Sequence, residues 1–283
     1  MAYRFMRYPD GKAKAVTFSY DDGCKSDIRL AETLGRHKMK CTLNLNSTRL
    51  FGGNDLTAED AKMLMANGHE VAVHGANHIA NGIASSISGI KDTLTCREEL
   101  ENTFGKIIRG MAYPDTGITR FANGTDYESV KNYLRSLGIV YSRTLGGDND
   151  LFDLPTDWYA WMPSAHHSNP ELMNYIDKFL AIDTENCYIA MRHPRLLYIW
   201  GHAFEFDCND NWNLLDRICE KLGNRDDIWY ATNIEIYDYV TAYNSLVWSA
   251  DESIVYNPTL YDIYFNITGN DYCIKPGETL YLK

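Results

Sequence analysis

The sequence predicts an α/β fold: parallel strands curled into a closed or nearly closed barrel with helices outside, followed by a small β-rich appendage. Two observations carry this. From residue 15 to about 247, short β-prone runs alternate with longer helical ones, an order that implies a parallel sheet with crossover helices. Roughly six to eight such units suffice to close a barrel. After Leu246 the texture changes to short strand-like runs separated by Asn257-Pro258, Gly269-Asn270 and Pro276-Gly277. The expected domains are therefore a barrel over 1–247 and an appendage over 248–283.

Val16 to Tyr20 reads as the first barrel strand. The helix after it spans Ser26 to Arg36, with Ile28, Leu30, Ala31 and Leu34 as its apolar positions. Cys41 to Leu45 is a second strand. Thr57 caps the next helix, and Asp60 stands where a capping box usually has Glu or Gln; Gly68 ends that helix. Glu70 to Val73 is a third strand running into His74. Ile90 to Lys106 forms a long helix, and Ile108 to Tyr113 a fourth strand stopped by Pro114. Tyr127 to Leu137 is a helix closed by Gly138. Ile139 to Ser142 is a fifth strand, and Trp158 to Trp161 a weak sixth. Pro170 to Ala181 is helical, and Leu196 to Trp200 is a strand ending at Gly201-His202. Trp212 to Leu222, Ile228 to Ala231 and Ile234 to Tyr243 follow as helix, strand and helix. In the tail, Ser253 to Tyr256, Tyr261 to Ile267, Tyr272 to Ile274 and Thr279 to Leu282 read as strands.

Composition narrows the partners. The 283 residues are 45% hydrophobic, enough for one large core. A net charge of −11 argues against a nucleic-acid surface and against an anionic membrane. No apolar run reaches the ~18 residues of a membrane span, and Met1 to Pro9 lacks the apolar stretch of a signal peptide. The 7 cysteines are scattered, odd in number and without a Cys-x-x-Cys pair, so they read as reduced core thiols and the expected compartment is the cytoplasm. The 20 tyrosines and 6 tryptophans first fill the core; a sugar-facing surface is the second use.

The chemistry collects at strand ends. The first strand runs into Asp21-Asp22-Gly23. Two adjacent carboxylates repel each other when buried bare, and a cation removes the conflict, one carboxylate binding it while the other acts as a base. A plain Asp-Asp-Gly turn is the alternative. His74-Gly75-Ala76-Asn77-His78 places two histidines four apart, a spacing that suits one metal, although chance pairing among 8 histidines is not rare. Joined to Asp22, they make a three-ligand set with open positions. Asp21, Asp22, His74, Asp115 and His202 all follow strands, and in a parallel barrel the C-terminal strand ends share one face.

With these motifs in view, the chain resembles the polysaccharide deacetylase family, the NodB-homology or carbohydrate esterase family 4 group, over roughly residues 10 to 245. Thr17-Phe18-Ser19-Tyr20-Asp21-Asp22-Gly23 matches its first motif and His74-x-x-x-His78 its second. The resemblance implies a distorted (β/α)7–8 barrel and a hydrolase that removes acetyl groups from an N- or O-acetylated saccharide. It implies Asp21 as general base, and Asp22, His74 and His78 as ligands of one divalent metal, zinc by preference, with cobalt or another transition metal as alternatives. Such a metal polarises the acetyl carbonyl and lowers the pKa of water to about 7.

The third motif is degenerate. Gly110-Met111-Ala112-Tyr113-Pro114-Asp115 stands where the family carries an arginine that steadies the base; Ala112 takes its place, and Arg109 and Arg143 are candidates to compensate. Asp115 aligns with the family's tyrosine, so Tyr113 and Asp115 are the expected oxyanion or substrate residues, through the backbone. Trp158 resembles the tryptophan that walls the family's site, with an ordinary core residue as the alternative. His166-His167 reads as an exposed loop pair, with the site mouth as the alternative. His202, after an apolar strand, matches the family's general acid, with Glu205 or Asp207 to orient it. His193 reads as structural. Two other functions stay open: hydrolysis of a small cyclic ureide or imide, and an inactive carbohydrate-binding homologue.

Overall fold

The computed structural model describes residues 3–145 and 149–282. Strand β1 (Arg4–Arg7) precedes the barrel, which runs β2 (Lys14–Asp21), α1 (Ser26–Arg36), β3 (Thr42–Leu45), α2 (Ala58–Ala66), β4 (Glu70–Val73), α3 (Ser86–Phe104), β5 (Gly110–Ala112), α4 (Tyr127–Ser136) and β6 (Tyr141–Arg143). It continues through β7 (Ala165–His166), α5 (Leu172–Ala181), β8 (Arg195–Gly201), α6 (Phe204–Cys208), α7 (Trp212–Leu222), β9 (Ile228–Tyr230) and α8 (Asn233–Asn244). Five short strands end the chain: β10 (Val247–Trp248), β11 (Ile254–Tyr256), β12 (Ile263–Ile267), β13 (Asn270–Ile274) and β14 (Thr279–Tyr281).

The barrel sheet is parallel, in the order β6-β5-β4-β3-β2-β8-β7, with β9 also on β2. Strand β8 covers β2 from Lys14 to Tyr20, while β9 takes Lys14 to Val16 and β3 takes Ser19 to Asp21. The curl is completed by one chain segment. Trp161 bonds to β6 through Ser142 O and Thr144 N, and His167 N–H donates to Trp200 O on β8. The architecture is a distorted (β/α) barrel. Trp158 to Trp161 is not a strand: Trp158–Ala160 is a short 3-10 turn, and only Trp161 bridges to Arg143.

Strand parity sorts the side chains. Val16, Phe18 and Tyr20 join Leu43, Leu45, Val71, Val73, Leu197 and Ile199 in a buried cluster beneath the helices. The alternate residues face the interior, and there they are polar. Thr17 Oγ1 donates to Asn233 Oδ1 at 2.9 Å, and Asn44 Nδ2 donates to Ser19 Oγ at 2.8 Å. All of β2 is buried because both of its faces are covered. A second apolar cluster, with Ala15 and Leu196 from the starts of β2 and β8, packs α8 against Val255, Ile263, Phe265 and Ile274. The last strands make two three-stranded sheets, β1-β12-β13 and β10-β11-β14, so the first sheet uses both chain ends.

Local signals fix several boundaries. Thr57 and Asp60 form a complete capping box, Asp60 serving despite its shorter side chain. Ser85 caps α3 and starts that helix a full turn before Ile90. Cys24, Cys41, Cys96 and Cys219 are buried and Cys208 is exposed. Among the described residues no helix is long and apolar enough to cross a membrane.

Candidate active site

Inward parity continues past the strand ends and assembles the site. Asp21 closes β2 and is buried. Its Oδ1 accepts from Asn44 Nδ2 at 2.8 Å, and its Oδ2 accepts from Arg143 Nη2. His74 Nε2 and His202 Nε2 stand 3.9 and 4.0 Å from Oδ2. Burial pushes this carboxyl up, but Arg143, then His74 and His202, with the Asn44 bond, outweigh it and hold Asp21 below the usual carboxylate range.

Asp22 sits in left-handed backbone (φ 76°), and its side chain, like that of Asp21, faces His74 Nε2. Its Oδ1 lies 3.7 Å from His74 Nε2 and 3.6 Å from His78 Nε2. That oxygen is buried with no hydrogen-bond partner; Arg49 Nη1 is 3.4 Å away. His74 Nδ1 donates to Ala112 O at 2.9 Å, leaving Nε2 free to face Asp22. Burial pushes the His74 imidazole down, towards the neutral form that a metal requires. The donor atoms of Asp22, His74 and His78 lie within 4.8 Å of one another. An orphaned carboxylate oxygen facing two imidazole nitrogens fits a divalent cation.

The loop from His74 to His78 is pinned from two sides. Asn46 Nδ2 donates to His74 O (2.6 Å) and Gly75 O (3.0 Å), and Asn77 N–H donates to Asp92 Oδ1 (2.8 Å). Gly75 has φ 76°, and a Cβ there would stand 2.3 Å from Asp92 Oδ2, so only glycine lets α3 hold this loop.

Arg143 reaches Asp21 from the strand next to Ala112. Ala112 on β5 is in register with Arg143 on β6, so both point inward at one level, and the guanidinium reaches Asp21 across the small alanine. Arg143 is fully buried and lies 4.3 Å from the Trp200 ring centre. Arg109 is engaged elsewhere, bidentate to Asp238 at 3.0 and 2.6 Å.

His202 Nδ1 donates to Glu205 Oε1 at 3.2 Å. Burial lowers the His202 pKa, but the Glu205 bond and the Asp21 charge outweigh it, and the ring is raised above its ordinary value. Asp207 instead binds Ser26 Oγ and Trp212 Nε1.

Two expected residues, Tyr113 and Trp158, stand differently. Tyr113 N–H is spent on Arg143 O (3.0 Å) and its hydroxyl donates to Tyr159 O (2.9 Å), so neither faces the site. Trp158 packs on Trp161 and Tyr237, at 4.8 and 5.1 Å between ring centres, against the second apolar cluster. Asp115 is in left-handed backbone (φ 48°) just past Pro114, which packs beside Gly75, and its N–H has no protein acceptor among the described residues. The reading of His166-His167 as a loop pair is also corrected: His166 lies in β7, with its ring 4.6 Å from Trp200. Trp200, expected only as the end of a strand, packs against both Arg143 and His166.

A polysaccharide deacetylase family model matches residues 8–141. Over that span, the chain is similar to the polysaccharide deacetylase family. Hydrolytic removal of acetyl groups is the activity class that this family brings. Solved structures give the same fold at low identity. A Mycobacterium smegmatis protein assigned to the polysaccharide deacetylases has 18% identity and TM-score 0.54, covering 84% of this chain and 93% of its own. A CE4 family pseudoenzyme from Bacillus anthracis has 14% identity and TM-score 0.50, covering 83% and 68%. The Xyl-CE4 domain of a multidomain xylanase from the hindgut metagenome of Trinervitermes trinervoides has 17% identity and TM-score 0.50, covering 82% and 92%. No curated protein matches the chain in sequence.

Proposed function

We propose that this chain is a metal-dependent hydrolase of an N- or O-acetylated saccharide, with Asp21 as general base and His202 as general acid. The observation that carries this is the pair of opposed environments around Asp21. On one side Arg143 and Asn44 hold its carboxylate ionised; on the other, Asp22, His74 and His78 converge on one point.

A divalent cation held by Asp22, His74 and His78, zinc or cobalt by donor type, supplies Lewis acidity for the acetyl carbonyl and acidifies water. Asp21, ionised and close to the same point, takes the water proton. A positioned base is worth about 10²–10⁴ in rate. His202 delivers a proton from Nε2 to the departing amine or alcohol, and Glu205 fixes the ring through Nδ1. The free Asp115 N–H is the backbone donor for the oxyanion. Arg143 does for Asp21 what an arginine at position 112 would do. The division of the chain at 247/248 into barrel and appendage is part of this proposal, with Arg4–Arg7 pairing into the appendage.

Acetate release by chelator-stripped protein, before and after zinc or cobalt, tests the reading on N-acetylglucosamine oligomers, peptidoglycan fragments and acetylated xylan. Metal-restored release from one class is expected. No release from any, with the metal bound one to one, rejects the saccharide reading.

A further inference from the structure

A second cluster stands beside the first. His166 of β7, His202 after β8 and Glu205 of α6 bring donor atoms within 4.8 Å of one another. Glu205 Oε2 is 3.2 Å from His166 Nε2, and Oε1 is 3.2 Å from His202 Nδ1. Metal–ligand bonds of about 2.0–2.2 Å in a tetrahedral site set donors roughly 3.3 Å apart, so this spacing fits a zinc-class cation. Glu205 Oε2 is buried, and none of its neighbours meets it with hydrogen-bond geometry.

Each of these groups also has an outer partner, as metal ligands do. Ser168 holds the His166 ring at Nδ1, through its Oγ at 2.7 Å and its N–H at 3.2 Å, which aims Nε2 at Glu205. Asp21 Oδ2 faces His202 Nε2 at 4.0 Å. His167, buried and stacked on Tyr20 and Phe206, points Nε2 at Glu205 Oε2 from 3.1 Å. A Cβ on Gly201 would lie 2.0 Å from His167 Nδ1, so glycine before His202 is what lets this outer histidine pack so close.

We propose that His166, Glu205 and His202 form a second divalent-cation site. Resting on the general-acid role given to His202, it is inhibitory. A cation on Nδ1 occupies the lone pair that would otherwise carry a proton, and the ring loses the imidazolium form that delivers one from Nε2. Excess zinc therefore lowers activity by about 10²-fold, the worth of a positioned acid.

The test is the zinc content of dialysed full-length protein at saturation, read by calorimetry and elemental analysis. His166→Ala and His166→Gln are each expected to lower the count by one cation per chain and to remove the inhibitory phase. A count unchanged in both overturns the proposal. His78→Ala separately removes the first-site cation, so failure of one site is distinguishable from failure of the other. In unaltered protein, the later equivalent of zinc is expected to shift the His166 Nε2 and His202 Nδ1 ¹⁵N resonances; resonances that stay in place overturn the proposal without any variant.

Discussion

Asp21 and Glu70 both point into the barrel, both are almost wholly buried, and they are tuned in opposite directions. Asp21, at the C-terminal end of β2, meets a guanidinium. Glu70, at the N-terminal end of β4, meets only neutral donors: Tyr141 OH at 2.6 Å, Thr42 Oγ1 at 2.8 Å and the Ile234 N–H at 2.9 Å. Burial pushes Glu70 up to about 7, and its three hydrogen bonds do not undo this. Burial pushes Asp21 up as well, but Arg143 reverses it. Desolvation is common to both sites, so the charge of the partner decides which carboxylate stays ionised and ready to act as a base.

The comparison can be broken most forcefully at Asp21. Asp21→Asn is expected to lower kcat by about 10²–10⁴-fold, whereas Glu70→Gln, which mimics the protonated acid, should leave kcat within a few fold; steady-state kinetics on the substrate found active decides. Equal losses would mean that Asp21 is not the base.

Arg143→Met comes next. It removes the largest of the interactions that offset burial, so the Asp21 pKa rises and the acid limb of kcat/KM moves to higher pH. Breaking the buried pair also costs about 3–5 kcal/mol of stability by denaturant unfolding. An unmoved acid limb would show that Arg143 is only structural.

The smallest effect is on stability against pH. Glu70 has a raised folded pKa, so its contribution is full below its ordinary 4.5 and is lost as pH rises through about 7. Glu70→Gln should flatten stability over that window, by up to about 3 kcal/mol. Asp21 has the opposite sign: its contribution is present above the ordinary carboxylate range and lost as pH falls through its depressed value. A Glu70→Gln stability curve parallel to that of the unaltered protein would show that Glu70 is not the group titrating.

Much of this arrangement was legible in the sequence where the signal is local. The Ser26–Arg36 and Trp212–Leu222 helices and the Glu70–Val73 strand begin and end where periodicity and glycine stops place them. Asp21 closes a strand, and Asp22, His74, His78 and His202 follow strands, of one parallel sheet, so they meet at one face. What escaped depends on pairing between distant segments. No spacing along the chain selects Arg143 over Arg109; only the β5–β6 register sets it opposite Ala112. Strand β1 exists because Arg4–Arg7 pairs with residues 264–267. Strand β7 is two residues long, too short for any alternation to show. Trp158 and Trp161 look strand-like in composition, yet Trp158 lies in a turn, packed on Trp161 and Tyr237.

The most direct measurement follows zinc content and acetate release together, on one chelator-stripped preparation reloaded in steps, beside Asp22→Ala and His74→Ala. The account predicts that the first bound cation restores acetate release in the unaltered protein, and that both variants lose that cation and the activity together. Full acetate release from metal-free protein, or from either variant, would contradict it.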